Sequence, residues 1–382
     1  MRLLSLLGLV GLLALAGCSN EEDDIQLQSQ GTPQKLTLIT SSTPFYDVSR
    51  MSTRALPDGY VPYNVLYPTT VPEKTTIGVF MPPERITPSV DFVYKNANEW
   101  ESTIGITEGV QYYIYGFMPK EDTEGAVIAP LNGDYANGAT LTLNGLNAVT
   151  GADVCLIVGV KKWAPTPSNQ TAPAIENSGI RLGEFGYAGG PAGSNYVYLL
   201  LKHIYAGLHF KAHVDPTYAA LRSIRAKKFE IISDAIADAI DLTIELTAND
   251  EGNDPVTGIQ YAPSQGANTS ASATLFPYEG GPAEVEIPVS SPAGFLACYA
   301  PSICRSFELQ TTFDVYDKQG NKTREDCVVR NVINNNLIPQ ISTMAAGELY
   351  TIDMLIQPTF LYVLSDPDLD NPTVTLTTTT NP

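Results

Sequence analysis

The sequence predicts an all-β protein of two tandem β-sandwich domains, and three observations lead there. Strand formers abound: 20 tyrosines stand among many threonines and valines. Proline (28) and glycine (30) punctuate the chain, so the runs between them are short. Those runs alternate apolar and polar residues at the spacing of sandwich strands. A length of 382 residues suggests two such units, and an apolar share of 43% is enough to fill their cores.

The first element is not a strand. Residues 3–15 are almost wholly apolar behind Arg2. A membrane helix needs about 20 such residues, whereas the core of a secretory signal needs roughly 7–15. Residues 1–17 therefore read as a signal peptide. The run ends in Leu15-Ala16-Gly17-Cys18, which looks like a bacterial lipobox. That pattern implies lipidation of Cys18 and a new N-terminus there. The acidic run Glu21-Glu22-Asp23-Asp24 reads as a solvated spacer. It also resembles the export tag that follows the lipid cysteine in surface lipoproteins of Bacteroidetes.

The first strand is KLTLITSS (35–42), with Leu36, Leu38 and Ile39 as its apolar residues, after a polar linker at 19–34. A long segment rich in turn formers follows and carries Arg50 and Arg54. The main core begins near residue 74. Strands are expected at 75–81, 111–118, 140–146 and 154–160, and as one long strand at 196–214. A domain border fits the segment 214–226. Residues 217–240 mix helical spacing with a strand-like FEII, so their type stays open. Further strands are expected at 241–247, 283–289 and 307–316. Lys318-Gln319-Gly320-Asn321 reads as a hairpin turn before 326–333, and 350–356 closes the core. The tail, 373–382, is strand-like with no turn signal to fold it back. It sets Val374 and Leu376 on one face and threonines on the other.

Composition excludes several functions. A net charge of −19 argues against nucleic acid and against electrostatic docking on anionic membrane. Attachment to a membrane would rest on the lipid. Beyond Cys18, four cysteines remain: Cys155, Cys298, Cys304 and Cys327. Cys298 and Cys304 are close enough in sequence to bridge in an exported protein. Cys155, in VCLIVGV, reads as a buried small apolar residue. No CxxC spacing points to zinc.

The three histidines, His203, His209 and His213, fall in one run. Read as a single strand, they share its less apolar face. His209 and His213 then stand about 13 Å apart, too far for one metal ion. No GxSxG elbow, HExxH or phosphate-binding glycine loop occurs, so no enzyme, cofactor or metal is expected. Residues 366–371 begin like a calcium loop, but Asn371 and Thr377 stand where that loop needs glycine and glutamate. Trp100 and Trp163 offer stacking surfaces for a glycan, the basis of a rival reading as a monomeric binding lipoprotein.

Several of these stretches together resemble the fimbrillins, the type V pilins of Bacteroidales. They are the lipobox at Cys18, the strand KLTLIT, Arg54-Ala55, the strand TTIGVFM, LKHIYAGLHFKAHV, and the ending GELYTIDMLIQPTFLYVLSDPDLDNPTVTL. The resemblance implies sandwiches of transthyretin-like topology and a C-terminal donor strand. It implies an outer-membrane lipoprotein precursor cut by an arginine-specific protease. The cut would follow Arg54, giving Ala55 as the first residue, or follow Arg50, giving Met51. Loss of the first strand would open a groove that the tail of another subunit fills.

The expected segments are then a signal at 1–17, a lipidated propeptide at 18–54, an N-terminal sandwich at 55–215 and a C-terminal sandwich at 216–382. Expected partners are other copies or related pilins, the protease, the outer membrane through the lipid, and a host or bacterial receptor. No nucleic acid is expected. The alternative is a non-polymerising surface lipoprotein: a fimbrial tip, an anchor or a glycan binder.

Overall fold

A computed structural model describes residues 32–42, 46–47, 61–62, 76–96, 99–107, 110–120, 123–163, 184–186, 195–233, 236–248, 255–278, 280–301, 303–359 and 367–378. These residues form the all-β fold that the sequence predicts, with one short α-helix.

In chain order the first strands are β1 (Thr32–Ser42), β2 (Tyr46–Asp47), β3 (Val61–Pro62), β4 (Thr76–Met81), β5 (Arg85–Asn96) and β6 (Glu99–Ile106). Next come β7 (Gln111–Tyr113), β8 (Tyr115–Met118), β9 (Gly125–Pro130), β10 (Gly138–Asn147) and β11 (Val149–Thr150). β12 (Cys155–Trp163), β13 (Glu184–Gly186), β14 (Asn195–His203) and β15 (Ala206–Val214) lead to the helix α1 (Pro216–Leu221). After it lie β16 (Ser223–Ser233), β17 (Ala239–Thr247), β18 (Val256–Pro263), β19 (Ala271–Phe276) and β20 (Val285–Glu286). The last are β21 (Ala293–Tyr299), β22 (Phe307–Tyr316), β23 (Lys322–Ile333), β24 (Glu348–Thr359) and β25 (Asp368–Thr378).

The largest sheet runs β14-β12-β8-β4-β5-β6-β1-β3, and β1 also pairs with β14. The seven strands from β14 to β1 thus close into a barrel, which pairs both edges of β1. Its interior packs Leu36, Leu38, Ile77, Phe92, Trp100 and Leu199, among others. Part of its wall has a second buried face. On β12, Cys155 and Ile157 point into this interior, while Leu156 and Val158 join a larger core on the other side. β4 and β14 divide in the same way, at Phe80 and Leu200. Burial on both faces explains why these strands read as continuous apolar runs.

Three other sheets enclose the larger core. One runs β18-β17-β10-β9 and another β19-β16-β22-β23, with β20 on β16. The third runs β11-β21-β15-β24, and β24 carries β2 and β25 on its far edge. The border expected at 215–216 runs through two of these sheets. β10 pairs with β17, and β15 with β21 and β24. Local pattern marks a strand but does not name its partner across a hundred residues.

The long strand expected at 196–214 is two strands. The chain breaks at Ile204-Tyr205, where the Ile204 N–H donates to the Val154 carbonyl at 3.0 Å and the Tyr205 hydroxyl to the Asn147 carbonyl at 2.8 Å. β14 stays in the closed sheet and β15 enters the six-stranded one.

The open stretch 217–240 resolves into α1, β16 and the start of β17. Asp215 caps the helix by accepting from the Thr217 and Tyr218 N–H groups, and Pro216 begins it. β16 then alternates buried and part-exposed residues, so the strand reading of FEII holds. The expected hairpin turn joins β22 to β23, with Gly320 at φ 86° and the Asp317 carboxylate accepting from the Gln319 and Asn321 N–H groups.

Candidate functional site

β1 is the strand that closes the barrel. It lies antiparallel to β6, with Leu38 opposite Trp100, and parallel to β14, with Leu38 opposite Val197. Alternation sends Leu36 and Leu38 to the same face, and both are fully buried in the barrel core. Burying two leucines stabilises the closed form by about 3–6 kcal/mol. Ile39 lies within β1, but its side chain is outside the described residues. Without β1, β6 and β14 would each lose a partner, and the core would open between them.

Trp100 is therefore no glycan platform. It is a core residue, with the Tyr94 ring edge-on at 5.3 Å. Trp163 ends β12, and its side chain is outside the described residues.

The second element is the tail. Contrary to the extended tail expected from sequence, β25 folds back and pairs antiparallel with β24. Val374 sits opposite Ile356 and is buried; Leu376 sits opposite Met354 and is half-buried. Among the described residues β25 pairs with β24 alone.

A few polar contacts hold its other flank. The Tyr218 hydroxyl donates to the Leu369 carbonyl at 2.8 Å, and the Asn331 amide to the Val374 carbonyl at 2.9 Å. The Arg222 guanidinium and the Thr323 hydroxyl both donate to the Asp370 carboxylate at 2.9 Å. Burial pushes Asp370 up, and those two hydrogen bonds together with the charges of Arg222 and Arg324 outweigh it, holding the carboxyl below its usual value. Asp370 is thus spent on this tether rather than on a calcium loop.

Cys18, the candidate processing residues Arg50, Met51, Arg54 and Ala55, and the signal peptide lie outside the described residues.

The four other cysteines are buried free thiols, so Cys298 and Cys304 form no bridge. The histidines do not line one face of one strand. His203 ends β14 and is buried, whereas His209 and His213 lie on β15. His203 Nδ1 meets the Asp153 carboxylate at 2.9 Å and the Cys155 thiol at 3.5 Å. Sequence reasoning treated Cys155 and His203 separately and passed over Asp153. Their one signal was the i, i+2 spacing of Asp153 and Cys155; only the β12–β14 register supplies His203.

No protein-family model matches the chain, and no curated protein does. Its neighbours among solved structures are cell-adhesion and fimbrial proteins. A structure described as a cell adhesion protein from Bacteroides fragilis aligns at 10% identity with a TM-score of 0.44, covering 91% of this chain and 97% of that one. One from Bacteroides uniformis, described in the same words, aligns at 12% identity with a TM-score of 0.31, covering 90% and 98%. The fimbrial anchor protein Mfa2 from Porphyromonas gingivalis aligns at 10% identity with a TM-score of 0.23, covering 91% and 98%.

Proposed function

We propose that the chain is a non-enzymatic structural subunit of adhesive cell-surface fimbriae, assembled by exchange of strands between subunits. It is exported as a lipoprotein on Cys18, then cut by an arginine-specific protease after Arg54, or after Arg50. The cut separates β1 and β2 from the rest of the chain. The barrel is left with a slot between β6 and β14, and the tail of a neighbour fills it.

One observation carries this reading: the tail repeats the pattern of the strand it would replace. Leu36-Thr37-Leu38-Ile39-Thr40 in β1 matches Val374-Thr375-Leu376-Thr377-Thr378 in β25. Both put two aliphatic residues at i, i+2 on one face with threonine between. A strand in the slot recovers two ladders of backbone hydrogen bonds, by β-augmentation on both sides. On its own subunit β25 has one ladder, so the exchange favours the slot. A donor and an acceptor at different places on one subunit make a head-to-tail contact, which propagates as a filament. β2 pairs with the start of β24 on the edge that β25 also uses, so the propeptide touches both the slot and the tail's own sheet.

Removing residues 368–382 tests this. The cut, tail-less chain is expected to stay unassembled, yet to accept the tail of an intact subunit as a capped dimer. Polymers formed without the tail would overturn the proposal.

A further inference from the structure

Away from both strands, three side chains of different chemistry meet at the end of the barrel. Cys155 begins β12, with Asp153 two residues ahead of it, and His203 ends β14 directly opposite Cys155. The His203 Nδ1 atom lies 3.0 and 2.9 Å from the two Asp153 carboxylate oxygens. The Cys155 Sγ lies 3.4 Å from Asp153 Oδ2 and 3.5 Å from His203 Nδ1. We propose that Asp153, Cys155 and His203 form a binding site for one zinc-like divalent cation.

The argument begins with distances. Zinc bonds nitrogen and oxygen at about 2.0–2.2 Å and sulfur at about 2.3 Å, in a tetrahedron. Two ligands of one such ion therefore stand about 3.3–3.6 Å apart. The two edges that involve sulfur already have that length. The edge between imidazole and carboxylate has to open by only a few tenths of an ångström.

The donor set selects the metal. Thiolate, imidazole and carboxylate together suit zinc and its softer neighbours, whereas calcium and magnesium take oxygen alone. The frame is stiff, because β12 and β14 are hydrogen-bonded neighbours and two of the ligands sit on them. Cys155 and His203 are buried, while the Asp153 side chain is 14% exposed and marks the way in.

Binding has a defined proton balance. Burial, and next the Asp153 charge, raise the Cys155 thiol well above its ordinary value. An arriving dication reverses that local field. The S–H bond breaks, a sulfur–metal bond forms, and the proton leaves to solvent. His203 Nδ1, which carries the hydrogen it donates to Asp153, gives up that proton to solvent while the ring keeps its Nε2 hydrogen, and then binds as a neutral imidazole. The three protein ligands would leave a fourth tetrahedral position for water or another ligand.

The ion would brace the barrel at its border with the six-stranded sheet. β11, three residues ahead of Asp153, pairs with β21, which carries Cys298. That thiol is close enough to Asp153 and Cys155 to interact with both electrostatically. Oxidation of Cys155 with Cys298 would destroy the site.

The test uses residues 19–382, with β1 in place, reduced and stripped of metal, then titrated with cobalt(II) chloride alone. The expected result is a near-ultraviolet thiolate-to-cobalt band that saturates at one equivalent and is displaced by zinc. Zinc chloride should also raise Tm. Cys155→Ser should abolish the band, and Asp153→Asn should weaken zinc binding about 10-fold or more. Because the unsubstituted protein is read directly, a variant that fails to fold does not blunt the test. No band and no zinc-dependent Tm shift would overturn the proposal. So would a band that survives in Cys155→Ser, or a Cys155–Cys298 disulfide in the exported protein.

Discussion

Leu38 of β1 lies directly opposite Trp100 of β6, and neither side chain reaches solvent. If β1 is the removable strand proposed above, the pair gives it a built-in reporter. Loss of the strand would uncover an indole, and a replacement strand would cover it again.

Trp100 should therefore report each stage of assembly. In a Trp163→Phe background, removal of β1 after cleavage is expected to red-shift Trp100 emission and open it to iodide quenching. Polymerisation should reverse both changes. Constant emission through cleavage would mean that β1 stays in place.

The plug's own residues should be costly to trim. Leu38→Ala in the uncut chain removes buried aliphatic volume beside Trp100 and is expected to lower stability by about 2–5 kcal/mol. Thr375→Ala on the exposed face of β25 should change it by less than about 0.5 kcal/mol. Chemical denaturation of the two variants makes the comparison.

The strand-class reading was legible in the sequence because alternation is a local property. KLTLIT shows its buried face directly, and Leu36 and Leu38 lie where that alternation puts them. Partnership was not legible. The break at Ile204-Tyr205 lies inside a run that reads as one long strand, because both halves are buried, each in its own sheet. β25 carries no turn residue after Pro372, and its return is set by its ladder with β24 and by contacts of Tyr218, Arg222 and Asn331, far away in the chain. Trp100 looked like a ligand surface because a single sequence does not say which face of β6 is covered. Asp153 and His203 are brought together only by the β12–β14 register.

The match between β1 and β25 fixes a register for the exchanged strand. Under the proposed exchange, Val374 would take the place of Leu36, Leu376 that of Leu38, and Thr375 that of Thr37, which lies opposite Glu101. A Thr375→Cys subunit should therefore form a disulfide with a Glu101→Cys neighbour in the polymer. The monomer, in which Thr375 faces Leu355, should form none. Cross-linking at positions shifted by one residue would show the tail seated with its faces reversed.

Acid should loosen the tail. The folded pKa of Asp370 lies below its unfolded value, so its contribution is complete above about pH 4. That contribution is lost as the pH falls through the lower folded value. The carboxylate is 42% exposed, so solvent screening keeps the effect below about 1 kcal/mol. Amide exchange in β25, corrected for intrinsic rates, should be unchanged between pH 5 and 8 and faster near pH 3. Asp370→Asn should give the faster exchange already at pH 7.

The buried thiols should be silent in the native state. Burial raises all four, Cys304 to about 12. In the chain beginning at Ser19, with β1 in place, iodoacetamide at pH 8 is expected to modify none of the four before unfolding and all four after it.

The central claim is that β1 is a removable plug. The direct measurement is to treat the chain that begins at Ser19 with an arginine-specific protease, sequence the new N-terminus, and run the product in detergent without boiling. The account predicts a start at Ala55, or at Met51, followed by a ladder of high-mass species. A chain cut at either arginine that releases β1 and still runs as a monomer would contradict it.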